Sequence, residues 1–386
     1  MATLTALVDA RVMGDHGPRE GLAVLVEGER IHAVVPADDP RVARAARVGL
    51  GGKLLLPGFI DVQVNGGGGL LFNDAPTVDT LRGIAAAHRQ FGTVGLLPTL
   101  ITDTAEKMRA ALEAVDAAIA QGVPGILGIH LEGPFLAPAR KGIHDAGLFR
   151  PLDDDDLALI ARPRRGVTML TLAPERVSAD AIRRLSEAGV RVVGGHTGAD
   201  YATVRAALDA GLCGFTHLYN AMTPLGSREP GVVGAALDDP HSWCGLIADG
   251  HHVHPAAMRV AIAAKARGRM VLVTDAMPPV GSDDPTYVLN GQTIVARDGI
   301  CQSDAGVLAG SALDMATGVR NLVGLAGLPL AEASRMASAY PADWLGLART
   351  HGRLAAGYRA DFAVLDDALR VAETWIGGVR HTARRH

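Results

Sequence analysis

The prediction of the fold starts from the segment 271–277, Val271-Leu272-Val273-Thr274-Asp275-Ala276-Met277. Three apolar residues and a threonine lead to one carboxylate, and the chain then continues through Pro278, Pro279 and Gly281. This pattern is typical of a buried strand that ends in an acidic residue where a loop begins. Aspartate is also a common turn former, so Asp275 taken alone has two interpretations. Three earlier segments share the pattern, each with Glu or His at the end of an apolar strand.

Apolar strand candidates, mostly separated by helical segments, occupy the middle of the chain. They lie at 54–64, 94–101, 126–132, 167–172, 190–196, 213–217, 244–249 and 270–275. Helical periodicity is found at 78–91, 104–121, 178–188, 200–210 and 255–266, with Thr104, Ser178 and Asp200 as N-cap candidates. This alternation predicts an α/β fold, a (β/α)8 TIM barrel. A doubly wound open sheet would alternate in the same way, but no Gly-x-Gly-x-x-Gly follows the first strand.

The two ends of the chain have a different pattern. Short strand candidates at 5–12, 21–26 and 30–35 are separated by turn-rich pieces, and similar segments occur at 360–365 and 370–376. We therefore expect residues 1–53 and 348–386 to pack together as a small β-sandwich domain. Residues 54–347 would be inserted between them as the barrel.

Composition excludes several classes of protein. The chain has 386 residues, 48% of them hydrophobic and 20% charged, which is enough for a barrel with a small second domain. A net charge of −4 with dispersed Lys and Arg argues against a nucleic-acid partner. No apolar run reaches the roughly 18 residues that a membrane span needs, and no signal peptide is evident. The three cysteines are widely spaced and form no disulfide framework, so we expect a cytoplasmic protein.

Functional residues of a barrel gather at the carboxyl ends of its strands. The third predicted strand ends with His130 and Glu132, the fifth with His196 and the sixth with His217. One carboxylate and two imidazoles can hold a metal ion and leave a coordination position for water, as in catalytic zinc sites. Each histidine alone could be an ordinary polar group in the barrel mouth. Their coincidence with Asp275 favours the metal site.

Several motifs carry a resemblance to a known family. They lie at 57–66 (PGFIDVQVNG), 130–135 (HLEGPF), 216–222 (THLYNAM), 228–231 (REPG), 248–250 (ADG), 273–276 (VTDA), 308–311 (LAGS) and 352–361 (GRLAAGYRAD). Together they resemble the N-acetylglucosamine-6-phosphate deacetylase family, a branch of the metal-dependent amidohydrolase superfamily. The resemblance covers nearly the full chain, and THLYNAM with REPG is its most specific part.

The resemblance implies an activity and the residues that perform it. The activity is removal of acetate from N-acetyl-D-glucosamine 6-phosphate, giving D-glucosamine 6-phosphate in amino-sugar metabolism. Glu132, His196 and His217 would hold a divalent metal, expected to be zinc, which activates water and polarises the acetamide. Asp275 would take the proton from that water and then protonate the departing amine. His144 would orient the substrate and help to stabilise the developing oxyanion.

The resemblance also implies phosphate contacts. Asn220, the backbone N–H of Ala221, the guanidinium of Arg228 and the imidazole of His252 would bind the phosphate. The adjacent His251 leaves a one-residue alternative open. Arg228 and His252 would reach across the interface of a homodimer.

The segment 308–311 is small and turn-like, which suits a close approach of Leu308 to the acetyl group. An alternative is that it leads into a helix that Ser311 caps.

The number of metal ions is a separate question. Two-metal members of the superfamily have His-x-His after the first strand, whereas this chain has Gln63 and Asn65, which are poor zinc ligands. The fourth predicted strand contains no lysine that could bridge two ions. We therefore expect one metal ion per chain.

Three other functions share parts of this pattern. Deacetylation of the galactosamine epimer would use the same phosphate and acetyl contacts, so the motifs do not separate the two sugars. A non-catalytic barrel that binds a partner would be expected to lack metal ligands or the aspartate. This chain keeps the three expected metal ligands and Asp275. A cyclic-amide hydrolase would be expected to show His-x-His and a lysine on the fourth strand.

Overall fold

The computed structural model describes residues 4–303 and 306–382. The strands, in chain order, are β1 (Leu4–Gly14), β2 (Gly17–Glu27), β3 (Arg30–Pro36), β4 (Ala46–Pro57), β5 (Phe59–Val64), β6 (Gly66–Gly67), β7 (Leu70–Leu71), β8 (Thr93–Ile101), β9 (Gly128–Glu132), β10 (Val167–Leu172), β11 (Arg191–Gly194), β12 (Gly214–Phe215), β13 (Trp243–Ile247), β14 (Met270–Val273), β15 (Thr286–Leu289), β16 (Gln292–Arg297), β17 (Ile300–Ser303), β18 (Leu308–Ser311), β19 (Phe362–Leu365), β20 (Val371–Ile376) and β21 (Val379–Thr382).

The α-helices are α1 (Pro40–Arg44), α2 (Val78–Arg89), α3 (Ala105–Ala120), α4 (Asp154–Ala161), α5 (Ala179–Glu187), α6 (Tyr201–Asp209), α7 (Gly231–Asp238), α8 (Pro255–Ala264), α9 (Met315–Gly324), α10 (Leu330–Ala337) and α11 (Ala339–Trp344). Short 3-10 helices lie at Pro138–Arg140, Ala146–Leu148 and Pro174–Arg176. Within the described ranges, none of the helices is both long and apolar enough to cross a membrane.

The parallel strands β5 and β8–β14 form a barrel in chain order. Backbone hydrogen bonds from Asp275 N to Gln63 O (3.0 Å) and from Asn65 N to Ala276 O (2.9 Å) join its last strand to its first. One hydrophobic core extends over the barrel strands and the helices packed around them. The predicted (β/α)8 barrel is confirmed, and all eight predicted strand positions contain a barrel strand.

The predicted N-caps begin three of the helices around the barrel. The side chains of Thr104, Ser178 and Asp200 each accept a hydrogen bond from the backbone N–H three residues further on. Each cap satisfies a donor that the first turn of a helix leaves without a partner. The start of α3, α5 and α6 is therefore determined locally, by the sequence itself.

The two ends of the chain form a seven-stranded sheet in the order β21-β20-β19-β4-β1-β2-β3. Side chains of β1 alternate between two hydrophobic clusters, with Leu7 in one and with Ala6 and Val8 in the other. Backbone hydrogen bonds between Ile31 and residues 357–358 bring the β3 edge against the segment before β19. The sheet therefore curls into a sandwich-like unit, which confirms the small β fold predicted from the two termini.

One strand crosses the domain boundary expected between residues 53 and 54. The last four residues of β4 pair with β19 in the small sheet, so the predicted strand 54–64 is in fact two strands separated by Gly58. A Cβ at Gly58 would lie 2.3 Å from Cγ1 of Val94, which explains why the connection between the two sheets needs glycine here. Residues 1–3 and 383–386 of the expected small domain lie outside the described residues.

An antiparallel sheet of four strands, β15–β18, follows the last barrel strand, and we call it the accessory sheet. These strands are not among those predicted. The first two connections are two-residue turns, Asn290-Gly291 and Asp298-Gly299, whose four residues all have positive φ. Asn-Gly and Asp-Gly are the preferred sequences of such hairpin turns, so the signal was present in the sequence.

The expected turn at 308–311 is a strand, β18, and the alternative role of Ser311 as a helix cap is wrong. The Ser311 hydroxyl donates to the carbonyl oxygen of Thr274 at 2.6 Å, which ties the accessory sheet to the barrel. Asp314 is the residue that caps α9, because its side chain accepts from the N–H of Thr317.

Candidate metal and substrate site

Four polar residues predicted for the site lie at the carboxyl ends of barrel strands. Glu132 is the last residue of β9, and His196, His217 and Asp275 each follow a strand by two residues. The last three have φ of 48°, 22° and 54°, a region that residues other than glycine rarely adopt. Such backbone strain concentrates at functional sites, where the surrounding fold holds it in place.

Glu132, His196 and His217 form a group of three buried side chains whose ligand atoms all lie within 4.8 Å of one another. Oε1 of Glu132 is 3.0 Å from Nε2 of His217 and 3.3 Å from Nε2 of His196. The two Nε2 atoms are 3.0 Å apart. Nδ1 of His196 donates to the carbonyl oxygen of Arg140 at 2.9 Å, so Nε2, which faces Glu132, is the ring nitrogen that would bind a metal ion. The donor set therefore fits one divalent cation.

Each of these groups changes how readily its neighbours ionise. Burial opposes ionisation of Glu132, but hydrogen bonds from His196 and His217 outweigh it and hold its pKa well below the usual range. Burial would lower the pKa of His217, and the hydrogen bond and charge of Glu132 raise it instead. The negative charge that favours a proton on His217 equally favours a metal cation between the two side chains.

Asp275 is held by the side-chain amides of Gln63 and Asn65, which lie where two-metal members of the superfamily have His-x-His. Nδ2 of Asn65 donates to its Oδ1 at 2.6 Å and Nε2 of Gln63 lies 3.2 Å from the same oxygen. Gln63 also donates to Glu132 (3.2 Å) and accepts from the hydroxyl of Thr216 (2.8 Å). Burial and the charge of Glu132 raise the pKa of Asp275 to about 6. In this arrangement both amides act as hydrogen-bond donors to the carboxylates.

His144 lies beside the same cluster. Its ring centroid is 4.4 Å from that of His196, and its Nδ1 is 2.8 Å from the hydroxyl oxygen of Thr102. Burial, reinforced by the charge of His196, lowers the pKa of His144 to about 3. The imidazole is therefore neutral at physiological pH, with one ring nitrogen as a hydrogen-bond donor and the other as an acceptor.

A cavity of about 270 Å³ joins these residues to most of those expected to bind substrate. Its polar lining comprises Asn65, Glu132, His144, His196, His217, Asn220, His252 and Asp275, together with Ala221. Its apolar lining comprises Ile101, Ile143, Met277, Leu289, Val307 and Leu308. A polar reacting centre thus lies beside an apolar wall that could accept a methyl group.

The structure distinguishes the two adjacent histidines. His252 lines the cavity, and its Nδ1 is 2.6 Å from Oδ2 of Asp249. Burial alone would raise the pKa of Asp249, but the hydrogen bond from His252 lowers it. His251 is exposed and does not line the cavity. Arg228 is also exposed, in the loop before α7, and lies outside the cavity of its own chain.

Three groups that support the site were not singled out from the sequence. Thr102 contacts His144, the carbonyl of Arg140 orients His196, and Asp249 holds His252. Asp249 belongs to the motif at 248–250, so a signal for it existed. Arg140 contributes only its backbone carbonyl. Every residue type has that group, so the sequence does not indicate this role.

Comparison with known proteins places these features in a family. The amidohydrolase family matches residues 54–380. The N-acetylgalactosamine-6-phosphate deacetylase of Shewanella sp. (strain ANA-3) is 47% identical over 84% of this chain and 82% of that protein. The N-acetylglucosamine-6-phosphate deacetylase of Vibrio furnissii is 38% identical over 95% and 92%. The crystal structure of N-acetylglucosamine-6-phosphate deacetylase from Pasteurella multocida superposes with a TM-score of 0.94 at 33% identity, covering 98% of this chain and 100% of that one.

Proposed function

The chain belongs to the amidohydrolase family, and we propose that it deacetylates N-acetyl-D-glucosamine 6-phosphate to D-glucosamine 6-phosphate and acetate, in amino-sugar metabolism. One observation carries the proposal: a three-ligand cluster and a separate carboxylate, Asp275, line one cavity with His252. A metal-dependent amide hydrolase needs the ligand cluster and the carboxylate, and a phosphorylated substrate suits His252. The names of the relatives support the same class of substrate.

In this proposal Glu132, His196 and His217 hold one divalent ion, with zinc expected because one carboxylate and two imidazoles are typical catalytic zinc ligands. A bound ion would lower the pKa of water and polarise the acetamide carbonyl. Gln63 and Asn65 are engaged as donors to Glu132 and Asp275, which supports a single ion per chain.

Asp275 acts as the general base and then as the general acid. Burial raises the pKa of Asp275 above its usual range, which favours a carboxylate that can accept a proton and return it. Asp275 accepts a proton from the attacking water and delivers it to the amide nitrogen as the C–N bond breaks. The amine leaves poorly without that proton, so loss of the carboxylate blocks both halves of the reaction.

His144 orients the acetamide and helps to stabilise the oxyanion, as its neutral ring beside His196 allows. Leu308 lines the cavity near the reacting groups and is assigned to the acetyl methyl. Asn220, the N–H of Ala221 and His252 are assigned to the phosphate.

The proposal includes a homodimer in the cytoplasm. Arg228 lies outside its own cavity, so we assign it to the phosphate bound in a partner subunit. His252 lines the cavity of its own chain. Of the two residues expected to reach the phosphate across the dimer interface, His252 and Arg228, we assign that position to Arg228 alone. Three free cysteines, Cys213, Cys244 and Cys301, support a reducing compartment.

A second substrate has a specific observation in its favour. The Shewanella relative, at 47% identity, is named for the galactosamine epimer, whereas the Vibrio relative at 38% is named for glucosamine. The two sugars differ only in the configuration at C4, so the acetamide at C2 and the phosphate on C6 are common to both. Deacetylation of N-acetylgalactosamine 6-phosphate is therefore the second candidate activity.

One assay tests both candidates. Acetate release would be measured from the N-acetyl derivatives of glucosamine, galactosamine and mannosamine, each with and without 6-phosphate, using zinc-loaded protein. The proposal expects turnover of the phosphorylated sugars, with the highest kcat/KM for the glucosamine compound. A higher kcat/KM for the galactosamine compound would establish the second candidate. No release from any of the six would favour the non-catalytic alternative.

A further inference from the structure

The turn between β15 and β16 contacts the loop that carries His144. Nδ2 of Asn290, the first turn residue, donates a 2.9 Å hydrogen bond to the carbonyl oxygen of Ile143. Leu289, which precedes it, and Ile143 itself both line the substrate cavity. The hydrogen bond therefore joins two walls of the cavity that lie 147 residues apart in the chain.

The segment 142–144 is held at three successive residues. Gly142 has a φ of 55° and lies against His196, where a Cβ would come within 3.3 Å of Cε1. Ile143 packs on the apolar cluster of the accessory sheet and offers its carbonyl to Asn290. His144 contacts the Thr102 hydroxyl at 2.8 Å. Asn290 thus ties the middle of this segment to the accessory sheet.

We infer that Asn290 is a positioning residue, which acts through Ile143 to hold His144 in its catalytic orientation. The inference rests on the proposed function, in which His144 binds the acetamide. Groups that contact a reacting centre need to be held within about 0.5 Å of their productive position. A loop meets this requirement less readily than a strand, and a hydrogen bond to a sheet compensates for its freedom.

Turn chemistry alone is a competing explanation for Asn290. Asn290 and Gly291 have φ of 50° and 73°, and asparagine is favoured at such a position whatever its side chain contacts. The accessory sheet contains an internal control, because Asp298 and Gly299 form the same kind of turn between β16 and β17, with φ of 51° and 83°. Asp298 is exposed, as Asn290 is, but among the described residues its side chain makes no hydrogen bond to the loop that carries His144.

The matched variants are Asn290→Gly and Asp298→Gly, each of which keeps its turn conformation while removing one side chain. Asn290→Asp is a third variant that suits the turn but places a carboxylate against the Ile143 carbonyl. Full-length, zinc-loaded proteins would be compared by kcat and KM with N-acetyl-D-glucosamine 6-phosphate, by metal content and by hydrogen exchange. The informative amide is that of His144, whose N–H bonds to the carbonyl of Lys141 at 3.0 Å.

We expect kcat to fall about three- to tenfold in both Asn290 variants, the effect of one neutral hydrogen bond, with metal content unchanged. Exchange at the His144 amide should accelerate, and Asp298→Gly should match the wild type in both measurements. Equal kinetics and exchange in Asn290→Gly and Asp298→Gly would overturn the inference and leave Asn290 as a turn residue. If the wild type releases no acetate from any N-acetylhexosamine 6-phosphate, the proposed function fails, and the exchange comparison still decides whether Asn290 holds the loop.

Discussion

Nδ2 of Asn65 donates a 2.6 Å hydrogen bond to Oδ1 of Asp275 and so joins the first barrel strand to the last. Gln63 lies 3.2 Å from the same oxygen. Oδ1 is therefore engaged by two amide donors, whereas Oδ2 has no donor among the described residues. The amides orient the carboxylate and leave one oxygen available for proton transfer.

Replacing Asp275 with asparagine tests whether one oxygen orients the side chain while the other transfers the proton. The new side-chain amide can keep its oxygen toward both amide donors, so the geometry survives and only the proton acceptor is lost. We expect kcat to fall by roughly 10²–10⁴, the range for a lost acid–base group. Metal content, measured by elemental analysis, should change little. Near wild-type turnover in this variant would end the proposed mechanism.

The second prediction concerns the number of metal ions. Protein purified without added metal should contain about one tightly bound zinc per chain, and a chelator should abolish activity. Replacing both Gln63 and Asn65 with His would supply two further imidazole ligands beside the cluster, and the metal content should rise toward two. Glu132→Gln is the opposite test. It removes the only carboxylate of the ligand set and should release the metal ion. Two tightly bound equivalents in the unaltered protein would contradict the single-ion assignment.

The barrel and the metal cluster could be predicted from sequence because each depends on local patterns. An apolar strand that ends in Glu132, His196 or His217 shows its position and its chemistry in a few residues, and the barrel brings these ends together. The contact between Asn65 and Asp275 could not be predicted in this way, since it joins residues 210 positions apart. Residue type indicates that both are polar and does not indicate that one orients the other.

The choice between His251 and His252 shows a second limit. The two residues are adjacent and chemically identical, so composition and spacing do not separate them. The structure separates them through Asp249, which accepts N–H groups from both but binds the imidazole of His252 alone. The accessory sheet was missed for another reason, because its strands are short and only their turns carry a clear pattern.

The third prediction concerns acid stability. Burial, reinforced by the charges of Arg359 and Arg30, lowers the pKa of His351 to about 4 from an ordinary value of 6.5. Between these values the unfolded chain binds a proton at His351 that the folded chain does not. The stability that the neutral His351 contributes is therefore fully present above pH 6.5, decreases as pH falls from 6.5 to 4, and is lost below 4. His351→Gln keeps a polar side chain of similar size without the titration.

The free energy of unfolding, measured by denaturant titration, should fall between about pH 7.5 and pH 4.5 by about 1–2 kcal/mol less in His351→Gln than in the wild type. The figure is reduced from the full linkage value because His351 is partly exposed. The same dependence on pH in both proteins would show that His351 does not carry this part of the acid sensitivity.

The last prediction concerns how the phosphate is bound. A charged hydrogen bond is worth about 1.5–3 kcal/mol, so Arg228→Ala and His252→Ala should each lower kcat/KM for the phosphorylated substrate by roughly one to two decades. The unphosphorylated sugar should be affected far less. Asp249→Asn should weaken the orientation of His252 and reproduce part of its effect, because it replaces the acceptor 2.6 Å from Nδ1.

Mixed dimers then decide which chain supplies each group. In a dimer of one Asp275→Asn chain and one Arg228→Ala chain, the second chain keeps its own Asp275 and would receive Arg228 from the first, so activity should return toward half of the wild-type value. The matching dimer of Asp275→Asn with His252→Ala should show no rescue beyond the residual activity of the His252→Ala site, since His252 lines the cavity of its own chain. Both results would be measured as acetate release by purified heterodimers. Absence of rescue in the Arg228 pair would assign that arginine to its own chain or remove it from the site, and rescue in the His252 pair would contradict the placement of that histidine.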